Sequence, residues 1–223
     1  MGTAGPRTHP RDLVKPRLRG VLHQYAFLAA LATGAVLVTL APAGRPRLAA
    51  SIYAVSLALL FGTSALYHRV TWHERARAVM KRLDHSMIFV FIAGTYTPFA
   101  LLLLHGTTQV VVLAVVWAGA GLGVGSRLLW LGAPRWAIVP LYIALGWVAV
   151  FIVPDLIGAG GIAPFVLLCV GGAAYTAGGV IYALRRPDPA PAVFGYHEMF
   201  HLMTLIAAAC HYVAVSFTVY RGV

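Results

Sequence analysis

In the stretch His197-Glu198-Met199-Phe200-His201, two imidazoles stand four residues apart. On a helix that spacing places them one above the other on a single face, where both can reach the same metal ion. The string also reads H-E-x-x-H, the zinc-protease signature in which the glutamate serves as general base. The next segment of the chain argues against a soluble protease. Residues 202–221, LMTLIAAACHYVAVSFTVYR, are almost wholly apolar, so the motif opens a membrane-spanning segment. A third metal ligand must then come from another helix end at the same membrane face.

Composition shows what kind of scaffold carries these residues. Of 223 residues, 60% are hydrophobic and 10% charged, and the mean hydropathy is +0.82, which excludes an ordinary soluble domain. The net charge of +11 does not point to nucleic acid, because the basic residues sit in short clusters between apolar runs, where membrane topology accounts for them. The runs are Val21 to Pro42, Leu48 to Tyr67, Asp84 to Leu104, Gln109 to Leu128, Trp136 to Val153, Ile162 to Leu184 and Glu198 to Tyr220. The first, at about twenty residues, exceeds a signal-peptide apolar core of ~7–15 and reads as a retained helix. The expectation is an all-α polytopic membrane protein: a disordered basic tail over residues 1–20, then one domain of seven transmembrane helices over 21–223.

Loop charges orient it. Five Lys or Arg lie in the tail, five between the second and third runs, two after the fourth and two after the sixth, fourteen together, against Arg45, Arg47 and Arg221 on the other side. The bias predicts a cytoplasmic N-terminus and an outside C-terminus. It also predicts that His68, Asp84 and the His197/His201 pair share the cytoplasmic face. One miscounted helix would put a hydrocarbon core of ~30 Å between His68 and His201, while a zinc–nitrogen bond is ~2 Å.

Three imidazoles, His68, His197 and His201, suit zinc and leave a fourth position open for water, as catalytic sites do. Asp84 is one of two carboxylates near an apolar segment; there a carboxylate is costly unless paired or functional. It is placed as a partner or general base for that water. Ser64, one turn before His68, could donate to the water or to a bound carbonyl. Glu198 could reach the water, or it could cap its helix, where negative charge is favoured.

The motifs S-A-L-Y-H at 64–68, L-D-H-S-M-I-F-V-F-I-A-G-T-Y-T-P-F at 83–99 and H-E-M-F-H at 197–201 resemble, in this order, those of the bacterial hemolysin III family. That family is the prokaryotic branch of the progestin and adipoQ (adiponectin) receptor superfamily, within a wider group of membrane hydrolases that includes alkaline ceramidases. The resemblance runs from about residue 15 to the end. It implies seven helices with a cytoplasmic N-terminus, zinc held by His68, His197 and His201, the zinc water held by Asp84, and Ser64 close by. Many relatives open the first helix with an E-x-x-N-x-x-x-H type segment, whereas this chain has Arg19-Gly20-Val21-Leu22-His23; a role for the missing acidic and amide groups is not carried over.

Other residues read more plainly. His23, His85, His105 and His211 are assigned to packing or the interface, and His73 and His9 to solvent. Cys169 and Cys210, inside apolar runs, read as small buried hydrophobes. The glycines of Gly119-Ala120-Gly121-Leu122-Gly123-Val124-Gly125 read as a close helix-packing surface and not as a phosphate loop. Gly94-Thr95-Tyr96-Thr97-Pro98 predicts a bend beside a cavity.

Three functions compete on these residues. The first is a zinc-dependent hydrolase of the bacterial inner membrane acting on a lipid amide or ester, with an acyl chain or sphingolipid-like substrate in the bundle. The second is a receptor-like or homeostatic protein with structural zinc. The third is a pore-forming hemolysin, against which the seven ordinary spans and basic N-terminus argue.

Overall fold

A computed structural model of the chain describes residues 15–130 and 133–221. Seven helices are long and apolar enough to cross a membrane: α1 (Val21–Leu40), α2 (Arg45–Arg69), α3 (Glu74–Leu103), α4 (Gly106–Leu129), α5 (Arg135–Gly160), α6 (Ile162–Leu184) and α7 (Tyr196–Val219). Among the described residues there is no strand, only an isolated antiparallel bridge between Ala190 and Phe194. The all-α, seven-span reading therefore holds, and the chain is a multi-pass membrane protein.

The helices begin and end where the sequence changes character. Gly20, at φ +80°, turns the chain into α1, and Pro46 occupies the first turn of α2, where its missing N–H is harmless. The third helix starts ten residues before the expected Asp84, because the ring of His73 caps it by accepting from Ala76 N–H at 3.4 Å. At ~1.5 Å per residue its 30 residues outrun the hydrocarbon thickness, so the basic stretch through Arg82 projects from it.

Packing radiates from α2 and α3, the most enclosed spans. Tyr53, Phe61, Phe89, Phe91, Phe99 and Val215 belong to the continuous core. Leu122, Phe151, Ile162 and Phe217 point outward, which costs nothing where the surroundings are acyl chains. Cys169 is also outward, not buried as the sequence suggested, and both cysteines are free; a lipid-facing wall accepts a small apolar side chain as readily as a core does. In the glycine run of α4 the faces differ. A Cβ on Gly119 would meet Leu145 at 2.7 Å and one on Gly123 would meet the Phe89 ring at 2.4 Å, whereas Gly121 and Gly125 face open space.

Two of the spans accommodate proline differently. The third helix runs unbroken through Pro98, with the Thr95 and Thr97 hydroxyls bonded to the carbonyls of Phe91 and Ala93. In α5, by contrast, which carries Pro140 and Pro154, the span changes winding, α over Arg135–Gly146 and tighter 3₁₀ turns over Trp147–Ile152. The Tyr96 hydroxyl mends the break: it donates to Gly146 O at 2.6 Å and accepts from Ala149 N–H at 2.7 Å, satisfying backbone groups that lipid cannot.

The described part of the basic tail, residues 15–20, is docked. The N–H groups of Arg17 and Leu18 donate to the carbonyls of Ala192 and Val193 in the loop before α7, at 3.0 and 3.2 Å. The rest of the expected tail, residues 1–14, lies outside the described residues.

Candidate metal centre

The last turn of α2, the third turn of α3 and the first two turns of α7 meet at the basic end of the bundle. All three histidines are buried, and one ligand nitrogen from each of His68, His197 and His201 can be chosen so that all lie within 4.8 Å of one another. The Nε2 atoms of His68 and His197 are 3.2 Å apart. The rings stand edge-on to one another, at 62° for His197 and His201 and 74° for His68 and His197.

These residues fit a zinc ion. A tetrahedral ion with ~2.0–2.1 Å bonds spaces its ligand atoms by roughly 3.3 Å, close to the His68–His197 separation. His201 Nδ1 is buried without a hydrogen-bond partner, as are few polar atoms in a settled core. Three imidazoles with no thiolate form a donor set that zinc accepts and that leaves a position open.

Asp84 is buried beside the trio, with Oδ2 3.9 Å from His68 Nε2, on the nitrogen that faces the other histidines. Ser64, one turn before His68, hydrogen-bonds through Oγ to His23 Nδ1 at 2.8 Å and neighbours the Asp84 carboxyl. The sequence reading missed His23. Its ring lies flat on that of His201, centroids 3.8 Å apart and planes 11° from parallel, so it touches both Ser64 and a candidate ligand. A signal existed: a histidine in the first turn of α1 lies at the same membrane face as the trio.

The two readings of Glu198 separate here. Its carboxylate accepts from Gly195 N–H at 2.9 Å and pairs with the Arg19 guanidinium, and no part of the residue is exposed. It caps α7 and fastens the chain ahead of α1, and with the carboxylate taken up by these two partners the protease-like role is not what this geometry offers. Of the other histidines, His211 donates through Nε2 to Leu168 O at 3.3 Å and lies edge-on to Tyr175. His85 faces Arg127, Nδ1 to Nη2 at 2.8 Å. His105 leads into α4, where it precedes the first turn.

A cavity of about 1190 Å³ opens over the trio and runs between the helices. Its polar end carries His68, Asp84, His197 and His201, and its deeper wall Phe91, Ile92, Thr95, Tyr96 and Tyr175; the expectation that the Gly94–Pro98 stretch lines a cavity is met by Thr95 and Tyr96. At the mouth, partial burial and the neighbouring charges of Arg69, Arg19 and Arg77 hold the Lys15 ammonium below its ordinary pKa range.

A family model described as haemolysin-III related matches residues 11–212, nearly the whole chain. The protein belongs to the haemolysin III family. It is 31% identical over 167 residues to the hemolysin-3 homolog of Bacillus subtilis, covering 75% of each chain, and 31% identical over 173 residues to hemolysin-3 of Bacillus cereus, covering 76% of this chain and 74% of that one. It is also 31% identical over 190 residues to the heptahelical transmembrane protein ADIPOR2 of rice, Oryza sativa subsp. japonica, covering 77% and 82%, which places this haemolysin III protein within the progestin and adipoQ receptor superfamily. The three motifs read from the sequence thus fall inside the matched region, and the three histidines they supply converge where a metal could be held.

Proposed function

We propose that this protein is a zinc-dependent hydrolase embedded in the bacterial inner membrane, with its N-terminus and its metal site on the cytoplasmic side, and that it opens an amide or ester bond of a lipid. His68, His197 and His201 hold the ion. The observation that carries the reading is the Asp84 carboxyl, buried 3.9 Å from His68 Nε2: an ion that only steadied helices would gain nothing from an ionisable group whose burial is costly. When bound, zinc would polarise a carbonyl and acidify water beside it. Asp84 takes a proton from the attacking water and returns it to the leaving nitrogen or oxygen. Ser64, tied to His23, holds the bound carbonyl in register, and His23 keeps the His201 ring from turning. The apolar wall around Phe91 and Ile92 receives the acyl chain, or the chain of a sphingolipid-like substrate, and keeps bulk water from the bond.

The test is fatty-acid release from lipid amides and esters by purified full-length protein of measured metal content. Chelation should abolish release, and zinc should restore it. Asp84→Asn should keep its zinc and lose roughly 100-fold or more in rate. Asp84→Asn protein that turns lipid over at the normal rate sinks this reading.

One observation favours a second reading, that of a receptor-like or membrane-homeostasis protein with structural zinc. Among the described residues the ligands come from α2 and α7 only, so the ion would tie the end of one helix to the start of the other. In that case chelation lowers the unfolding temperature and no turnover exists to lose. The name hemolysin-3 of the Bacillus relatives suggests cytolysis as a third. Dye release from liposomes by purified protein tests it, and the expected result is none.

A further inference from the structure

The mouth of the cavity is charged far beyond what the trio needs. Among the described residues seven cationic side chains line the cavity against two carboxylates, Asp84 and Asp188. Asp84 belongs to the histidine trio, and Asp188 Oδ1 is occupied by Tyr196 N–H at 2.9 Å. Positive charge at a membrane face serves topology, but topology is served by cations in water. Arg127 is not in water. It turns inward from the last turn of α4, is only 5% exposed, and lines the cavity. Its Nη2 meets His85 Nδ1, its Nε is buried without a partner, and among the described residues no carboxylate lies within ion-pairing distance of it. A buried guanidinium without a counter-charge is expensive and marks a function by default.

Two further cations join it from neighbouring helices. Lys81 stands one turn before His85 on α3, Arg135 opens α5, and both line the cavity that Arg127 lines. Arg135 is held in place, stacked over the Tyr182 ring at 4.4 Å and donating to the Tyr196 hydroxyl at 3.2 Å. The arrangement is therefore three positive groups on three helices lining one cavity, one fixed by aromatic stacking and one with its Nε unpartnered. A single cation would do for a carboxylate. Arginine forks and a lysine point charge, spread over several directions, match the oxygens of a phosphate.

We propose that Lys81, Arg127 and Arg135 form a binding site for the headgroup phosphate of a membrane lipid, beside the histidine trio in the same cavity. Lipid rather than free phosphate is indicated because the space continues from these cations to an apolar wall at Phe91, Ile92 and Tyr175, which a free anion would leave empty. The site stands whether or not the trio catalyses hydrolysis, since its three cations take no part in that reaction.

The experiment measures lipid binding to the full-length protein in neutral detergent by native mass spectrometry, with the apparent unfolding temperature followed alongside. Phosphatidic acid should bind and raise the unfolding temperature, and phosphatidylcholine should bind more weakly. Arg127→Gln and Lys81→Gln should each weaken phosphatidic acid on the order of tenfold, the effect of losing one hydrogen bond to a charged group, while metal content stays at the wild-type value. Arg75→Gln, an exposed cation at the same end that does not line the cavity, should bind as the wild type does. Lys81 has an exposed side chain, so its variant reports even if Arg127→Gln fails to fold. Undiminished binding by Lys81→Gln overturns the site. Equal weakening by Arg75→Gln reduces it to diffuse surface charge, and equal protection by inorganic phosphate overturns the lipid assignment.

Discussion

Arg19 and Glu198, 179 positions apart, form an ion pair that joins the chain leading into α1 to the first turn of α7. The Glu198 end is wholly buried and also caps its helix, whereas Arg19 keeps some contact with solvent. The first and last helices of the bundle are thereby locked together next to the histidine trio, and His23, one turn beyond Arg19, is carried onto His201.

Glu198→Gln should lower the unfolding temperature and leave lipid turnover largely intact. The amide can still accept from Gly195 N–H, but it cannot neutralise Arg19, and losing a charge-assisted bond of this kind costs about 1.5–3 kcal/mol. Thermal unfolding monitored beside turnover decides the matter. If turnover vanishes while stability is untouched, Glu198 acts as the general base its motif first suggests.

Alanine at His68, His197 or His201 should each abolish stoichiometric metal binding, as measured by elemental analysis of purified protein. Alanine at His23 should leave one metal per chain and weaken its retention against a chelator by roughly 10–100-fold, the usual scale for a residue that supports a ligand without bonding the ion. Full metal retention in His68→Ala would remove α2 from the site.

Gly20→Ala should be far worse than Gly106→Ala. Both glycines have positive φ, so both substitutions cost about 1–2 kcal/mol in backbone strain. A Cβ on Gly20 would in addition meet His68 Cβ at 2.5 Å, whereas one on Gly106 would meet nothing within 4 Å. The expected outcome is a lower unfolding temperature in both, with metal affinity lost only in Gly20→Ala. Equal metal affinity in the two variants would show that the docked segment does not shape the trio.

Within α4, Gly123→Ala should destabilise by about 1–3 kcal/mol, since its Cβ would enter the Phe89 ring at 2.4 Å. Gly121→Ala, facing open space, should be neutral or stabilising by up to about 1 kcal/mol from helix propensity. Unfolding temperatures of the two variants test whether this run is a packing surface on one face only.

The number of spans, their approximate limits and the three histidines that share a face were all legible in the amino-acid sequence alone. Those depend on local properties: apolar length set against bilayer thickness, the four-residue spacing of a helix, and the parity of crossings. Residues that act across helices were settled only by the fold. The partner of Glu198 is an arginine ahead of the first helix, His23 leaves the packing class because α1 lies against α7, and Arg127 turns inward to meet His85 on α3. Helical periodicity fixes which face a side chain occupies but not which neighbour that face meets, and in a bundle whose outer walls are equally content against lipid, the neighbour is set by packing alone.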